Sequence, residues 1–195
     1  MTRRLLVVCT ANLCRSPSVE RLLQRRLDGL VDIEGHEWVV RSAGTVRTGA
    51  AMDPNTLLVA RAVGLDLSAH ASRALDSEIL STDGADHVLT MTREHLRVVV
   101  GIDPAVWPRA FTLKEIVRRA STIPRARPDE GLSGWLCRVA EGRLAAEMMR
   151  PDPMDDIDDP YGAPRREHER MLTEVDALVE QLVLLGPWCL PKSVV

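Results

Sequence analysis

The sequence predicts an α/β fold: a doubly wound, four-stranded parallel sheet with helices on both faces, plus a mostly helical insertion late in the chain. Three observations predict it. Apolar runs of strand length alternate with stretches of helical periodicity, the pattern of a parallel sheet wound with helices. The first run, Leu5-Leu6-Val7-Val8, is continuous rather than alternating, as in strands covered on both faces. That run leads directly into Cys9-Thr10-Ala11-Asn12-Leu13-Cys14-Arg15-Ser16-Pro17, a strand end, a short loop and a helix start in succession.

The elements follow in order. Residues 4–9 read as a buried strand. A helix opens at Pro17, whose missing N–H is harmless in a first turn, with Val19, Leu22, Leu23 and Leu27 on its apolar face. Trp38-Val39-Val40 is the second strand and runs into Ser42-Ala43-Gly44-Thr45. A helix over 53–62 stops at Gly64, which can take the left-handed backbone of a C-terminal cap. A linker over 65–68 and a short helix over 76–80 precede the third strand, 88–91, and a helix over 93–100. Ala105-Val106-Trp107 with Phe111 is read as the fourth strand, interrupted by Pro108, and 113–120 as the helix after it.

Residues 121–153 read as an insertion, opened by Pro124 and Pro128, closed by Pro151 and Pro153, and containing a helix around Trp135. The acidic stretch over 152–159 reads as a solvated loop, and Pro160-Tyr161-Gly162 as a turn. A final helix over 164–185 shows Met171, Val175, Leu178, Leu182 and Leu185 on one face. Residues 1–186 are therefore expected to form one domain and 187–195 a loose tail.

Composition narrows the function. With 195 residues, 45% hydrophobic and 27% charged, the chain has the make-up of a soluble globular domain. A formal charge of −3 without a basic stripe argues against nucleic acid as a partner. No apolar run approaches a membrane span, and the run after Met1-Thr2-Arg3-Arg4 is too short for the core of a secretion signal. Four cysteines at irregular spacing then suggest a reducing, cytoplasmic compartment.

The loop suits phosphoryl chemistry. Consecutive backbone N–H groups leading into a helix N-terminus offer donors and a positive dipole to a phosphate monoester. Arg15 adds a planar fork that can grip two oxygens. The same surroundings favour a thiolate at Cys9, and Ser16 can donate to it. Asn12 tolerates left-handed torsions and can brace the loop through its amide. Attack by Cys9 on phosphorus would give a phosphocysteine, with Arg15 and the amides stabilising the equatorial oxygens. The leaving oxygen needs a proton, so a general acid must come from elsewhere in the chain.

Cysteine and arginine at this spacing are not informative alone. Cys137 and Arg143 repeat it, inside a helix-like stretch where Leu132, Trp135, Leu136, Val139 and Ala140 recur at helical spacing. No strand precedes that copy, which reads as chance, with Cys137 a small core residue.

With its flanking strand and its Asn12, Cys14-Arg15-Ser16-Pro17 ending, the N-terminal loop resembles that of the low-molecular-weight protein tyrosine phosphatases. Further blocks resemble the family in order: Ser42-Ala43-Gly44-Thr45, the stretch from Gly64 to Arg73, the stretch from Ala85 to Met91, and Asp159-Pro160-Tyr161-Gly162. The resemblance implies a cysteine-dependent phosphomonoester hydrolase with Cys9 and Arg15 catalytic and Asp159 as general acid and base. Thr10, Ala11, Asn12, Leu13, Cys14 and Ser16 would bind the phosphate, with Leu13 as an apolar wall. Tyr161 would stand at the pocket mouth and stack on a substrate ring. No metal or other cofactor is implied, and the partner is a phosphorylated protein or small phosphoester.

The chain departs from the family pattern in places. Ala11 stands where a glycine is usual, which is harmless if its backbone is ordinary. Val46-Arg47-Thr48-Gly49 lacks the usual aromatic residue, and Gly162 replaces a second one, so Tyr161 is the one aromatic wall. Thr92 stands where an acidic residue is usual and is expected to be structural, as is His70. Cys14 reads either as a packed small residue or as a partner for reversible disulfide formation with Cys9. Two other functions use such a loop. An arsenate reductase would need a thiol relay, and Cys137 and Cys189 are poorly placed for one. A non-catalytic phosphoprotein-binding module would not need nucleophile, arginine and acid together.

Overall fold

The computed structural model describes residues 2–46, 49–81, 84–127, 129–148, 150–188 and 190–191. Pro128, Cys189, the residues Arg47 and Thr48 after the second long strand, and the end of the expected tail lie outside the described residues.

Four parallel strands form the centre of the sheet: β1 (Thr2–Cys9), β3 (Glu37–Gly44), β4 (His87–Thr90) and β5 (Ala110–Thr112). Their spatial order is β5-β4-β1-β3, so the chain leaves β1 to one side for β3 and returns to the other for β4. The sheet also carries two short strands that the sequence reading did not include. β2 (Leu30–Val31) lies antiparallel to β3, and β6 (Leu190–Pro191) antiparallel to β2. A strand of two residues leaves too little periodicity to be read.

Both faces of the sheet are covered, as the continuous apolar run in β1 requires. Leu5, Val7 and Cys9 enter one core with Trp38, Val40 and Phe111, closed by α1 (Arg15–Leu27), α5 (Leu113–Ala120) and α8 (Arg165–Leu185). Leu6 and Val8 enter the other with Ala43, Val88 and Ala110, closed by α3 (Ser77–Leu80) and α4 (Arg93–Ile102). The apolar face of α1 is buried as expected, and α2 (Pro54–Ala62) starts at an Asp53 cap. On α8, Met171, Val175 and Leu182 are buried while Leu178 and Leu185 are half-buried, with Leu172 and Val179 completing the face.

Several expectations are corrected. The helix after the loop begins at Arg15, two residues before Pro17. Residues 104–109 form a 3-10 helix instead of a strand, because Pro104 opens a turn whose amides Asp103 caps; only 110–112 are extended. Cys137 is exposed, not a core residue: α6 (Leu132–Val139) buries Leu132, Trp135, Leu136 and Val139, and Cys137 falls on the opposite face. Arg143 lies beyond the end of α6, buried as a bidentate partner of the fully buried Glu115 at 2.7 and 2.9 Å and stacked over Trp107 and Phe111. Nor is the acidic stretch simply solvated, since Asp155 is completely buried between Arg93 and Arg118.

The segment past Gly186, expected to be loose, is packed through Trp188. Its indole donates to the carbonyl of Leu182 at 2.9 Å and its ring meets Trp38 edge-on at 4.9 Å and Trp135 at 6.2 Å. Three distant parts of the chain thus meet at one aromatic cluster, and α6 contributes to the main core through Trp135. Trp135→Ala is expected to lower the unfolding free energy by about 3–5 kcal/mol, the cost of truncating a buried aromatic. Urea denaturation measures this; a loss below about 0.5 kcal/mol would mean that the 121–153 segment folds apart from the core.

Candidate active site

Cys9 ends β1 at the point where the strand order reverses, and its side chain is buried. In open parallel sheets the crevice beyond the strand ends at such a switch point is the standard ligand position. The loop from Cys9 to Arg15 is shaped there by bonds to its carbonyl groups. Thr45 and Val46 donate to the carbonyls of Cys9 and Thr10 at 2.9 Å, Ser72 to that of Ala11 at 2.8 Å, and His70 Nε2 to that of Asn12 at 3.0 Å. With those carbonyls tied outward, the amides of residues 11–14 make no protein hydrogen bond among the described residues. They are free to donate to an anion at the helix N-terminus, where α1 has no acidic residue in its first turn. Gly44 permits the close fit: a Cβ there would sit 2.7 Å from the carbonyl oxygen of Thr10.

Asn12 takes the left-handed backbone, φ 58°, as expected; Ala11 does not. The Asn12 amide donates to Ser16 Oγ at 2.9 Å and to Ser42 Oγ at 2.7 Å, and its oxygen accepts the Arg73 N–H at 3.1 Å. Ser16 Oγ, which accepts from Asn12, lies 2.9 Å from Cys9 Sγ, within reach of donating its own proton there. A hydroxyl donor at that distance stabilises a thiolate. Cys14 is buried in the loop. Burial pushes its thiol up to about 12, only partly offset by a hydrogen bond with Thr56. Cys9, Cys14 and Cys137 are all free thiols.

Arg15 is almost fully buried and reaches across the loop. Nη1 donates to the carbonyl of Ile157 at 3.1 Å, and Nη2 donates to Thr10 Oγ1 at 3.0 Å and to Asp159 at 2.5 Å. Nε is buried with no partner among the described residues. The guanidinium is thus anchored at one edge while Nε remains as a donor.

The adjacent carboxylates Asp158 and Asp159, which only the family resemblance separates in the sequence, diverge. Asp158 is 83% exposed and pairs with Arg170, whereas Asp159 faces Arg15. Asp159 arrives there because its segment is pinned upstream. Arg93 holds Asp155 through two donors at 2.6 and 2.9 Å and gives its backbone N–H to Asp156 at 2.7 Å, and Ile157 donates to the carbonyl of Met91 at 2.8 Å. Downstream, a tight turn closes from Ala163 to Pro160, with Gly162 at φ 73°. Arg93 was missed in the sequence reading because its partners lie some 60 residues away.

These groups surround one small cavity of about 50 Å³, with Cys9 and Arg15 at the loop, Leu13 and Tyr161 as walls and Asp159 opposite. Tyr161 is 60% exposed, at the mouth. A larger cleft of about 490 Å³ between α1, α2 and α8 presents no cysteine or histidine. The sequence-predicted residues Cys9, Thr10, Ala11, Leu13, Cys14, Arg15, Asp159 and Tyr161 are therefore brought together, with Asn12 and Ser16 as internal braces.

Comparison with known proteins places the fold and the family. The family model described as low molecular weight phosphotyrosine protein phosphatase matches residues 4–123. A protein-arginine-phosphatase of Geobacillus stearothermophilus is 29% identical over 93% of this chain and 95% of its own length. The low molecular weight protein-tyrosine-phosphatase Etp of Escherichia coli K12 is 40% identical, over 52% of this chain and 63% of its own length. Among solved structures, the YwlE arginine phosphatase of G. stearothermophilus superposes with a TM-score of 0.64 at 27% identity, covering 92% of this chain and 90% of that one. A low molecular weight protein tyrosine phosphatase of T. tengcongensis gives 0.65 at 28% identity, covering 93% and 98%. With residues 4–123, more than half of the chain, matched and a shared fold over nearly the whole chain, the protein belongs to the low molecular weight phosphotyrosine protein phosphatase family.

Proposed function

We propose that the chain is a protein-tyrosine phosphatase acting through a phosphocysteine on Cys9, with Arg15 gripping the phosphoryl group and Asp159 as general acid and then base. The observation that carries this reading is the convergence of Cys9, Arg15 and Asp159 on one phosphate-sized cavity. The Cys9 thiolate attacks phosphorus, the bond from phosphorus to the ester oxygen breaks, and protonated Asp159 gives its proton to the leaving oxygen. The Asp159 carboxylate then takes a proton from water as that water attacks phosphorus, and the P–S bond breaks to restore the thiolate. Arg15 and the loop amides stabilise the equatorial oxygens in both steps.

Tyrosine is favoured by the walls. Leu13 and the Tyr161 ring suit a phenyl group, whereas a phosphoarginine would bring a second guanidinium beside Arg15. The extended match to a protein-arginine-phosphatase makes phosphoarginine the second reading. An arsenate-reducing relay gains no support from Cys137, which is exposed on α6. In this reading the sheet, the 121–153 segment and the chain past Gly186, which packs through Trp188 and β6, work as one phosphatase domain. A cytoplasmic location fits the free thiols, and no helix among the described residues is long and apolar enough to cross a membrane.

Turnover of a chromogenic aryl phosphate tests the roles. Cys9→Ser should be inactive, and Asp159→Asn should lose roughly 10²–10⁴-fold in kcat, the range for a positioned general acid. Full activity in either variant would refute the assignment. The Arg15–Asp159 pair also predicts competition, because phosphate must displace the carboxylate from the guanidinium. Asp159→Asn should therefore bind inorganic phosphate several-fold more tightly at pH 7, by calorimetry, even as it loses turnover; weaker binding would mean that no such competition exists. Tyr161→Ala should lower kcat/KM for aryl phosphates by about 2–10-fold, the worth of an aromatic contact, and leave alkyl phosphates unchanged. Comparing kcat/KM for a phosphotyrosine peptide and for phosphoarginine decides between the two substrate readings.

A further inference from the structure

Behind the loop lies a buried histidine that plays no part in the steps above. His95 sits in the first turn of α4 and is 4% exposed. Its Nε2 is 2.9 Å from Thr10 Oγ1, and its Nδ1 is 2.8 Å from Thr92 Oγ1. Thr92 also caps α4 by accepting the His95 N–H at 3.2 Å, so the ring is held at both ends.

The direction of the protons follows from the charge on Arg15. Thr10 Oγ1 accepts from the Arg15 Nη2 cation, whereas Thr92 Oγ1 accepts only the neutral His95 backbone N–H. A hydroxyl that accepts from a cation is polarised into the better donor, so Arg15 gives to Thr10, Thr10 to Nε2, and Nδ1–H to Thr92. In the opposite tautomer Thr10 Oγ1 would accept from Nε2–H as well as from Arg15, and Thr92 would give its proton to Nδ1. The ring is also kept neutral, since burial and the nearby Arg15 charge push His95 down to about 3. An imidazolium would place a second cation behind the phosphate site and make both ring nitrogens donors.

We propose that His95 is a positioning residue of the phosphate-binding loop: as the Nδ1–H tautomer it orients the Thr10 hydroxyl, whose oxygen in turn fixes the Arg15 guanidinium. The idea rests on the assignment of Arg15 as the phosphate-gripping group. It also gives the first turn of α4 a double task. Arg93, two residues before His95, holds Asp155 and Asp156 of the segment that delivers Asp159. One helical turn therefore sets the cation from one side of the cavity and the acid from the other.

Two variants separate this role from plain packing. A glutamine amide reaches the position of Nε2 and can keep the Thr10 contact, while an asparagine amide reaches only that of Nδ1 and keeps the Thr92 contact. His95→Asn should weaken inorganic phosphate binding about tenfold, as expected for losing a hydrogen bond that supports a charged group, while His95→Gln stays within about threefold of wild type. Calorimetry measures both, with thermal melts alongside. Equal weakening in the two variants, or none in either, would overturn the positioning role. Should His95→Asn fail to fold, Thr10→Val removes the His95 contact together with the Thr10–Arg15 bond and should show at least the same tenfold loss; unchanged affinity there also overturns the role. Two-bond ¹⁵N–¹H correlation on the wild-type ring should report Nδ1–H, and an Nε2–H ring contradicts the proton direction. Because phosphate binding is read without turnover, a wild type that binds phosphate but hydrolyses no phosphoester sinks the hydrolase reading alone. One that binds no phosphate sinks both.

Discussion

Asn12 is the residue on which the site depends. Its left-handed backbone turns the loop, and its side-chain amide uses both protons and its oxygen to tie Ser16, Ser42 and Arg73 together. A buried amide with all its bonds made is rigid, and each bond left unmade costs about 1–3 kcal/mol. That rigidity lets a run of backbone N–H groups face one point without collapsing onto protein acceptors. The outward carbonyl ties from Thr45, Val46, Ser72 and His70 complete the same work. Catalysis by preorganised donors requires this, because donors that must first be turned lose their advantage in the turning.

The acid reaches the loop by a different route. The Tyr161 N–H holds the Asp159 carboxylate locally, and the buried Asp155 fixes the segment, through Arg93 and Arg118. A buried carboxylate is tolerable only when well paired, and here several donors satisfy it. The ion cluster therefore acts as a hinge pin for a segment that would otherwise be an acidic surface loop. The Glu115–Arg143 pair does comparable work for the 121–153 segment, anchoring its end under Trp107 and Phe111.

Local chemistry was legible in the sequence, and long-range closure was not. The β1 run, the loop, the apolar face of α1 and the bounds of α5 are readable because each depends on neighbouring residues. The stretch around Val106 and Trp107 resembled a strand because those residues favour one, but Pro104, Pro108 and the Asp103 cap decided the backbone. Cys137 was misplaced by an error of helical phase, since the residues just before it face the core. The acidic stretch and the region of Trp188 were misread for a shared reason. Their burial depends on partners, Arg93 and Arg118 in one case and Trp38 and Trp135 in the other, that no local pattern connects. At the site, the loop could be read from its own residues, and the choice of Asp159 over Asp158 only through the family resemblance.

The strand pairing of β6 has a bearing on how copies of the chain meet. The sheet ends on one side at Leu190–Pro191, paired to β2. Proline has no N–H to offer, so the outermost strand gives an incoming chain a broken ladder. On the other side the sheet ends at β5, three fully buried residues between a 3-10 helix and α5. Among the described residues neither border offers a long open row of donors and acceptors. Edge-to-edge pairing of two sheets is therefore disfavoured by construction.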